Sequence, residues 1–304
     1  MKKYFLLFFM VQKSFAFIPG YYQPSVQGIR DVEMPDKGWG VYWYNSFYHS
    51  NKPLDINGDE LDPTEYSDPL NVNTKAYTTY PYFYWMPGFD LLGGNWGFSI
   101  NLVLGHINID SYYPENDEIR EAKNFSLGDM AIAPLILAWD RDNFFAVFNL
   151  FVGLPFSSFN PNRQDNVGLG YYAVVPQLGG MYYFDKKQKN ALMLLLTFEI
   201  KTEVRGTEER PGDVFSFEFG WSHYFTKKFS AGITTFYQTQ MNYSEGIDDE
   251  LSKWKPQAGA IGLEASYWFK RDIWGLTFKY NWEYLARGGF QGGNYVLNVY
   301  FNQY

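Results

Sequence analysis

The chain is expected to fold as an all-β protein: a closed antiparallel transmembrane β-barrel of about twelve strands. Three observations predict this. Long segments alternate apolar and polar residues with a period of two. Aromatic residues make up 21% of the 304 positions, with 26 Tyr, 28 Phe and 10 Trp. The links between segments alternate between long and short, which a soluble sandwich has no reason to do.

The alternation is clearest in the stretch DIWGLTFKYNWEYLAR, residues 272–287. Trp274, Leu276, Phe278, Tyr280, Trp282 and Tyr284 share one face, and Gly275, Thr277, Lys279, Asn281 and Glu283 share the other. It runs to about fifteen residues, where soluble strands usually have about five or six. Trp and Tyr crowd both ends of its apolar face, as at the two edges of a bilayer. Reversing the register would turn Lys279 to lipid, at about 2–4 kcal/mol near the midplane. The same slip would place six large apolar side chains in a wet lumen. The aromatic stripe is therefore expected to face outward.

The chain opens with an expected signal peptide over residues 1–16. Lys2 and Lys3 supply the positive start, Tyr4 to Val11 the apolar stretch, and Ser14-Phe15-Ala16 the small-x-small cleavage site. Residues 17–37 follow, long enough to fold inward as a plug, and the barrel is expected over 38–304. Strands are expected at 38–50, 74–86, 95–108, 126–139, 143–157 and 169–185, then at 190–204, 213–225, 229–243, 258–269, 272–287 and 293–303. Links 51–73, 109–125, 158–168, 205–212, 244–256 and 287–292 are mostly long; 140–142, 186–189, 226–228 and 270–271 are short, with 87–94 the longest of that set. Short turns would face the periplasm and long loops the outside. The chain ends in Tyr304, out of phase with Tyr295, Leu297, Val299 and Phe301, so Phe301 is expected to take the terminal lipid-facing place.

The formal charge of −8, with no long basic run, argues against nucleic acid as a partner. There is no cysteine, which excludes disulfides and thiolate metal sites. No cofactor and no metal site is expected. Asp55-Ile-Asn-Gly-Asp59 has a superficial likeness to a calcium loop but lacks the rest of the pattern, and a solvated acidic loop is the simpler reading. The chain is expected not to be an enzyme. It holds three histidines, His49, His106 and His223, the last two on the lipid-facing set, and no HExxH, GxSxG, P-loop or GxGxxG motif stands out.

The inward set carries the candidate site. Glu199, Lys201, Glu203, Glu218, Glu264, Lys279 and Glu283 mix both signs. Such charges either pair across strands and brace the wall or line a passage. Phe145, Val147 and Phe151 occupy the inward register of the fifth strand, and Met193 and Leu195 that of the seventh. A greasy patch within a polar lumen suits an apolar ligand better than ions.

The segments GWGVYWYNSFYHS, NFSLGDMAIAPLILAW and NVGLGYYAVVPQLGGMYYF resemble the family named for the meta-pathway of phenol degradation. Leu127, Gly128 and Asp129, with Pro134 five residues on, carry its most specific part, and the resemblance spans most of the chain after about residue 30. Members of the family are outer-membrane barrels related in plan to the long-chain fatty-acid transporters. The resemblance implies passive uptake of hydrophobic or aromatic small molecules. Expected partners are outer-membrane lipid and lipopolysaccharide, apolar small molecules and, during insertion, the barrel-assembly machinery. The competing reading is a structural or adhesive barrel that binds partners through its long loops.

Overall fold

The computed structural model describes residues 18–65, 69–247 and 253–304; the expected signal peptide lies outside them. Twelve antiparallel strands close a barrel. They are β1 (Gly38–Ser50), β2 (Leu70–Leu91), β3 (Gly94–Tyr113), β4 (Glu118–Arg141), β5 (Phe144–Leu154), β6 (Ala173–Tyr183), β7 (Asn190–Lys201), β8 (Val214–Tyr224), β9 (Phe229–Gln240), β10 (Gln257–Lys270), β11 (Trp274–Arg287) and β12 (Gly293–Gln303). Each pairs with its chain neighbour, and β1 pairs with β12 from Trp39↔Gln303 to His49↔Gly293. Closure leaves the sheet no open edge where hydrocarbon could not satisfy it.

The two faces separate as the alternation requires. On β11, Trp274, Phe278, Trp282 and Tyr284 are 41–54% exposed, whereas Lys279 is 0% and Glu283 3% exposed. Trp43, Leu194, Phe198, Ile233, Leu263 and Leu297 extend the outer belt on other strands. Phe301 is part of that belt, 5.7 Å from the Trp39 ring, while the Tyr304 hydroxyl donates to the Asp272 carbonyl at 2.8 Å. His106 and His223 lie on the outer face; His223 Nδ1 is 2.8 Å from Asn190 Oδ1.

Three strands differ from expectation. β2, β3 and β4 have 22, 20 and 24 residues, against 11–14 in the other nine. β3 and β4 extend through 109–113 and 118–125 at the long-link end and make one tall side of the wall there, while β2 extends at both ends, through 70–73 and 87–91, so the expected link 87–94 is corrected to the short turn Leu92-Gly93. The expected long link 109–125 is therefore corrected: β3 and β4 pair through Tyr113↔Glu118 around a four-residue turn. Charge hid this extension. Glu118, Arg120, Glu121 and Lys123 interrupt the apolar stripe, and they pair along the strand at 3.1 and 3.2 Å. Glu203 is a second correction: β7 stops at Lys201, and Glu203 is exposed beyond it.

The Leu127–Pro134 segment lies where the tall wall meets the rest. The β3–β4 register shifts between Leu102 and Leu104, opposite Gly128 and Asp129, and the β4–β5 register shifts between Ile132 and Leu135, around Pro134. A proline lacks the N–H a regular ladder needs, so a bulge accommodates it. Leu127 and Pro134 face out, while Gly128 and Asp129 are buried. β5 ends opposite Met130, and residues 155–172 fold against the remaining inner face of β4. Asp129 secures that link: it accepts from the Ser157 N–H at 3.0 Å, Ser157 Oγ at 2.6 Å and the Leu169 N–H at 2.6 Å.

Candidate functional site in the barrel lumen

Residues 18–37 run inside the barrel. Arg30 donates to the Gln188 and Lys189 carbonyls in the short β6–β7 turn, while the Ile18 N–H donates to Gln238 Oε1, 2.6 Å, near the long-link end of β9. The segment thus spans from one mouth toward the other. An irregular segment cannot satisfy its own backbone, so the wall must supply partners.

Those partners are the charged and amide side chains of β7 to β12. Lys201 Nζ donates to the Pro19 carbonyl at 3.1 Å, and Glu199 accepts from the Tyr22 N–H at 3.3 Å. Glu218 accepts from the Tyr22 hydroxyl and from the Ser25 N–H, the latter at 2.9 Å. Glu264 accepts from the Ile29 N–H at 2.9 Å, and Lys279 donates to the Gln27 carbonyl at 2.7 Å. Asn298 donates to the Val26 carbonyl at 2.8 Å. Lys279 and Glu264, directly paired across β10 and β11, are also 3.5 Å apart, and Lys201 lies 4.0 Å from Glu199. Glu283 instead holds the rim, accepting from the Gly292 N–H at 2.6 Å.

Shape supports the same fit. Ile29 is fully buried over Gly220 and Gly232, where added Cβ atoms would stand 2.9 and 2.7 Å from it. At Gly153 a Cβ would meet the Tyr21 ring at 2.5 Å. Near the short-turn mouth, the Arg30 guanidinium lies 4.2 Å from the Tyr224 ring centre and donates to Ser222 Oγ at 2.8 Å.

The other half of the lumen is aromatic and leaves room. A cavity of about 70 Å³ lies between the segment and the wall, lined by Tyr21, Tyr22 and Val26 on one side and Tyr44, Tyr80, Tyr82, Asn101, Ala131, Phe151 and Val175 on the other. A smaller one, about 10 Å³, continues along Val147, Asn149, Gln177 and Leu195, and shares Gln27, Tyr44, Tyr82 and Phe151 with the first. Of the sequence-selected inward residues, Phe151 lines both spaces and Val147 and Leu195 the second. Phe145 and Met193 are buried in the surrounding core. The acidic and basic residues hold the segment rather than line the open space. The lumen tyrosines escaped sequence reasoning because β1 and β2 are aromatic on both faces: Tyr42, Tyr44, Tyr82 and Tyr84 are buried, while Trp43, Phe83 and Trp85 are exposed.

The Asp55 carboxyl caps its own turn, accepting from the Asn57, Gly58 and Asp59 N–H groups at 2.8 Å each. His49 Nε2 lies 3.2 Å from Asn73 Oδ1.

The barrel resembles solved outer-membrane proteins. The COG4313 outer membrane channel from Pseudomonas putida F1 superposes with a TM-score of 0.69 at 11% identity, covering 90% of this chain and 98% of that one. The NanC porin superposes at 0.49, with 11% identity over 86% and 98% of the two chains. The translocator domain of the autotransporter NalP from Neisseria meningitidis also reaches 0.49, with 12% identity over 90% of each. At such identities the likeness concerns the fold. No curated protein matches the sequence. Residues 50–299, most of the barrel and all of the Leu127–Pro134 segment, match a family as well, and the chain belongs to it: the family described as "Putative MetA-pathway of phenol degradation".

Proposed function

We propose that the protein is an outer-membrane channel for passive entry of hydrophobic or aromatic small molecules, gated by its N-terminal segment acting as a plug. One observation carries this reading: the lumen is divided. Its charged half grips the segment through hydrogen bonds, and its aromatic half retains a tyrosine-lined cavity. A wall built only for strength would be filled on both sides.

The cavity is too small for a free path. About 70 Å³ holds a few waters, each needing roughly 10–15 Å³ on this measure. Passage therefore requires the plug to shift, and the solute moves between its tyrosines and the wall. Phe151, Val147 and Leu195 supply the greasy side of that path, with Phe145 and Met193 packed in the core behind them. Glu199, Lys201, Glu218, Glu264 and Lys279 set the resting position of the plug.

Uptake of radiolabelled toluene by cells with an intact lipopolysaccharide leaflet tests the reading. Cells with the gene are expected to load faster than cells without it. Equal rates across a panel of apolar probes would refute the channel and leave a barrel acting through its outer loops.

A further inference from the structure

Two buried amide oxygens lie along this path without a partner. Asn101 on β3 lines the larger cavity and Asn149 on β5 the smaller, and the Oδ1 atom of each accepts no hydrogen bond. Asn149 Nδ2 donates to Gln177 Oε1 at 3.0 Å, and Gln177 Nε2 donates onward to Thr197 Oγ1 at 3.1 Å. The carbonyl end is left over. A buried acceptor without a donor is costly, and a solute bringing an O–H or N–H offsets that cost.

The ionisable groups around these spaces point the same way. Among the described residues lining the two cavities there is no Lys, Arg or His; besides tyrosines, the ionisable one is Asp31. A carboxylate passing here would lose its water and gain no counter-charge. The basic residues Lys201 and Lys279 are occupied with plug carbonyls and their own glutamates.

We propose that Asn101 and Asn149 are specificity-determining acceptors, which make the channel favour uncharged aromatic molecules bearing a hydroxyl or amino hydrogen over arene carboxylates. The inference rests on the channel reading above and names its solute class. Each Asn meets the solute in turn as it moves from the larger space to the smaller, when the shifted plug opens both oxygens.

The test uses three molecules with one ring: p-cresol, toluene and p-toluate. Each is radiolabelled and measured by equilibrium dialysis against the purified full-length protein in detergent, with detergent blanks subtracted. Binding is expected in the order p-cresol, toluene, p-toluate. Asn101→Leu with Asn149→Leu is expected to weaken p-cresol about 3- to 10-fold, the worth of one hydrogen bond, and to leave toluene unchanged. If the double variant loses toluene as well, Asn101→Ala with Asn149→Ala replaces it in the same comparison. Unchanged p-cresol binding in the variants, or p-toluate binding as tightly as p-cresol, overturns the inference. Its failure is separable from that of the channel. Gene-dependent toluene uptake without p-cresol preference sinks only the acceptors; gene-independent uptake of every probe sinks the channel first.

Discussion

Removing the Glu218 side chain should release the plug. Glu218 is 1% exposed at mid-lumen and accepts from the Tyr22 hydroxyl and the Ser25 N–H. In Glu218→Ala both donors are left buried without an acceptor, and each such orphan costs about 1–3 kcal/mol. The plugged state should lose roughly 2–6 kcal/mol relative to a displaced plug whose donors meet water. Even the lower figure raises the displaced population about 30-fold. The chain has no cysteine, so Gln27→Cys gives a unique reporter on the plug. Its rate of reaction with a membrane-impermeant maleimide should rise by at least that factor in the Glu218→Ala background. The barrel itself should stay folded, as judged by its heat-dependent mobility in detergent gels. A folded barrel with an unchanged labelling rate would show that Glu218 does not hold the segment, and the division of the lumen into gripping and conducting halves would fall with it.

Lys279→Met leaves Glu264 buried without its partner at 3.5 Å, and should lower barrel stability by about 3–5 kcal/mol in denaturant titration. Lys279→Met with Glu264→Gln should recover most of that loss, because no lone charge remains. Asp129→Ala frees the Ser157 and Leu169 N–H groups, so trypsin should cut after Arg163 in intact protein at least tenfold faster; an unchanged rate would remove Asp129 from its anchoring role. In the same link, a hydrogen bond from Arg163 holds the Asp165 carboxyl below the usual carboxylate range. A depressed folded pKa means the pair's stabilisation is complete above the unfolded value of about 3.9 and is lost as pH falls through the folded value. Carbon NMR titration of Asp165 should move up toward that reference in Arg163→Ala, and a midpoint that stays put would deny the pairing. On the outer face, Phe278→Arg should cost about 2–4 kcal/mol if the residue meets the bilayer midplane, and near zero if it does not.

Alternation, with the aromatic content and the alternating link lengths, determined the barrel, its twelve strands and their sidedness. The reason is energetic: at a membrane wall every second side chain meets hydrocarbon, so composition by parity is forced strongly enough to survive in one sequence. The pattern on β11 placed Lys279 and Glu283 inside and Trp282 outside, and the same parity marked Phe151, Val147 and Leu195 as inward-facing. It could not mark Tyr44, Tyr80 or Tyr82, where both faces are aromatic, nor the charged continuation of β4 past Ser126, where a strand beyond the bilayer has no greasy face to show. What the lumen charges touch was likewise decided only by the folded chain. Lys279 meets Gln27 from 252 residues away, and Glu218 meets Ser25 from 193. Parity states which way a side chain points; what waits there depends on closure of the cylinder and on the segment it encloses, which no local spacing encodes.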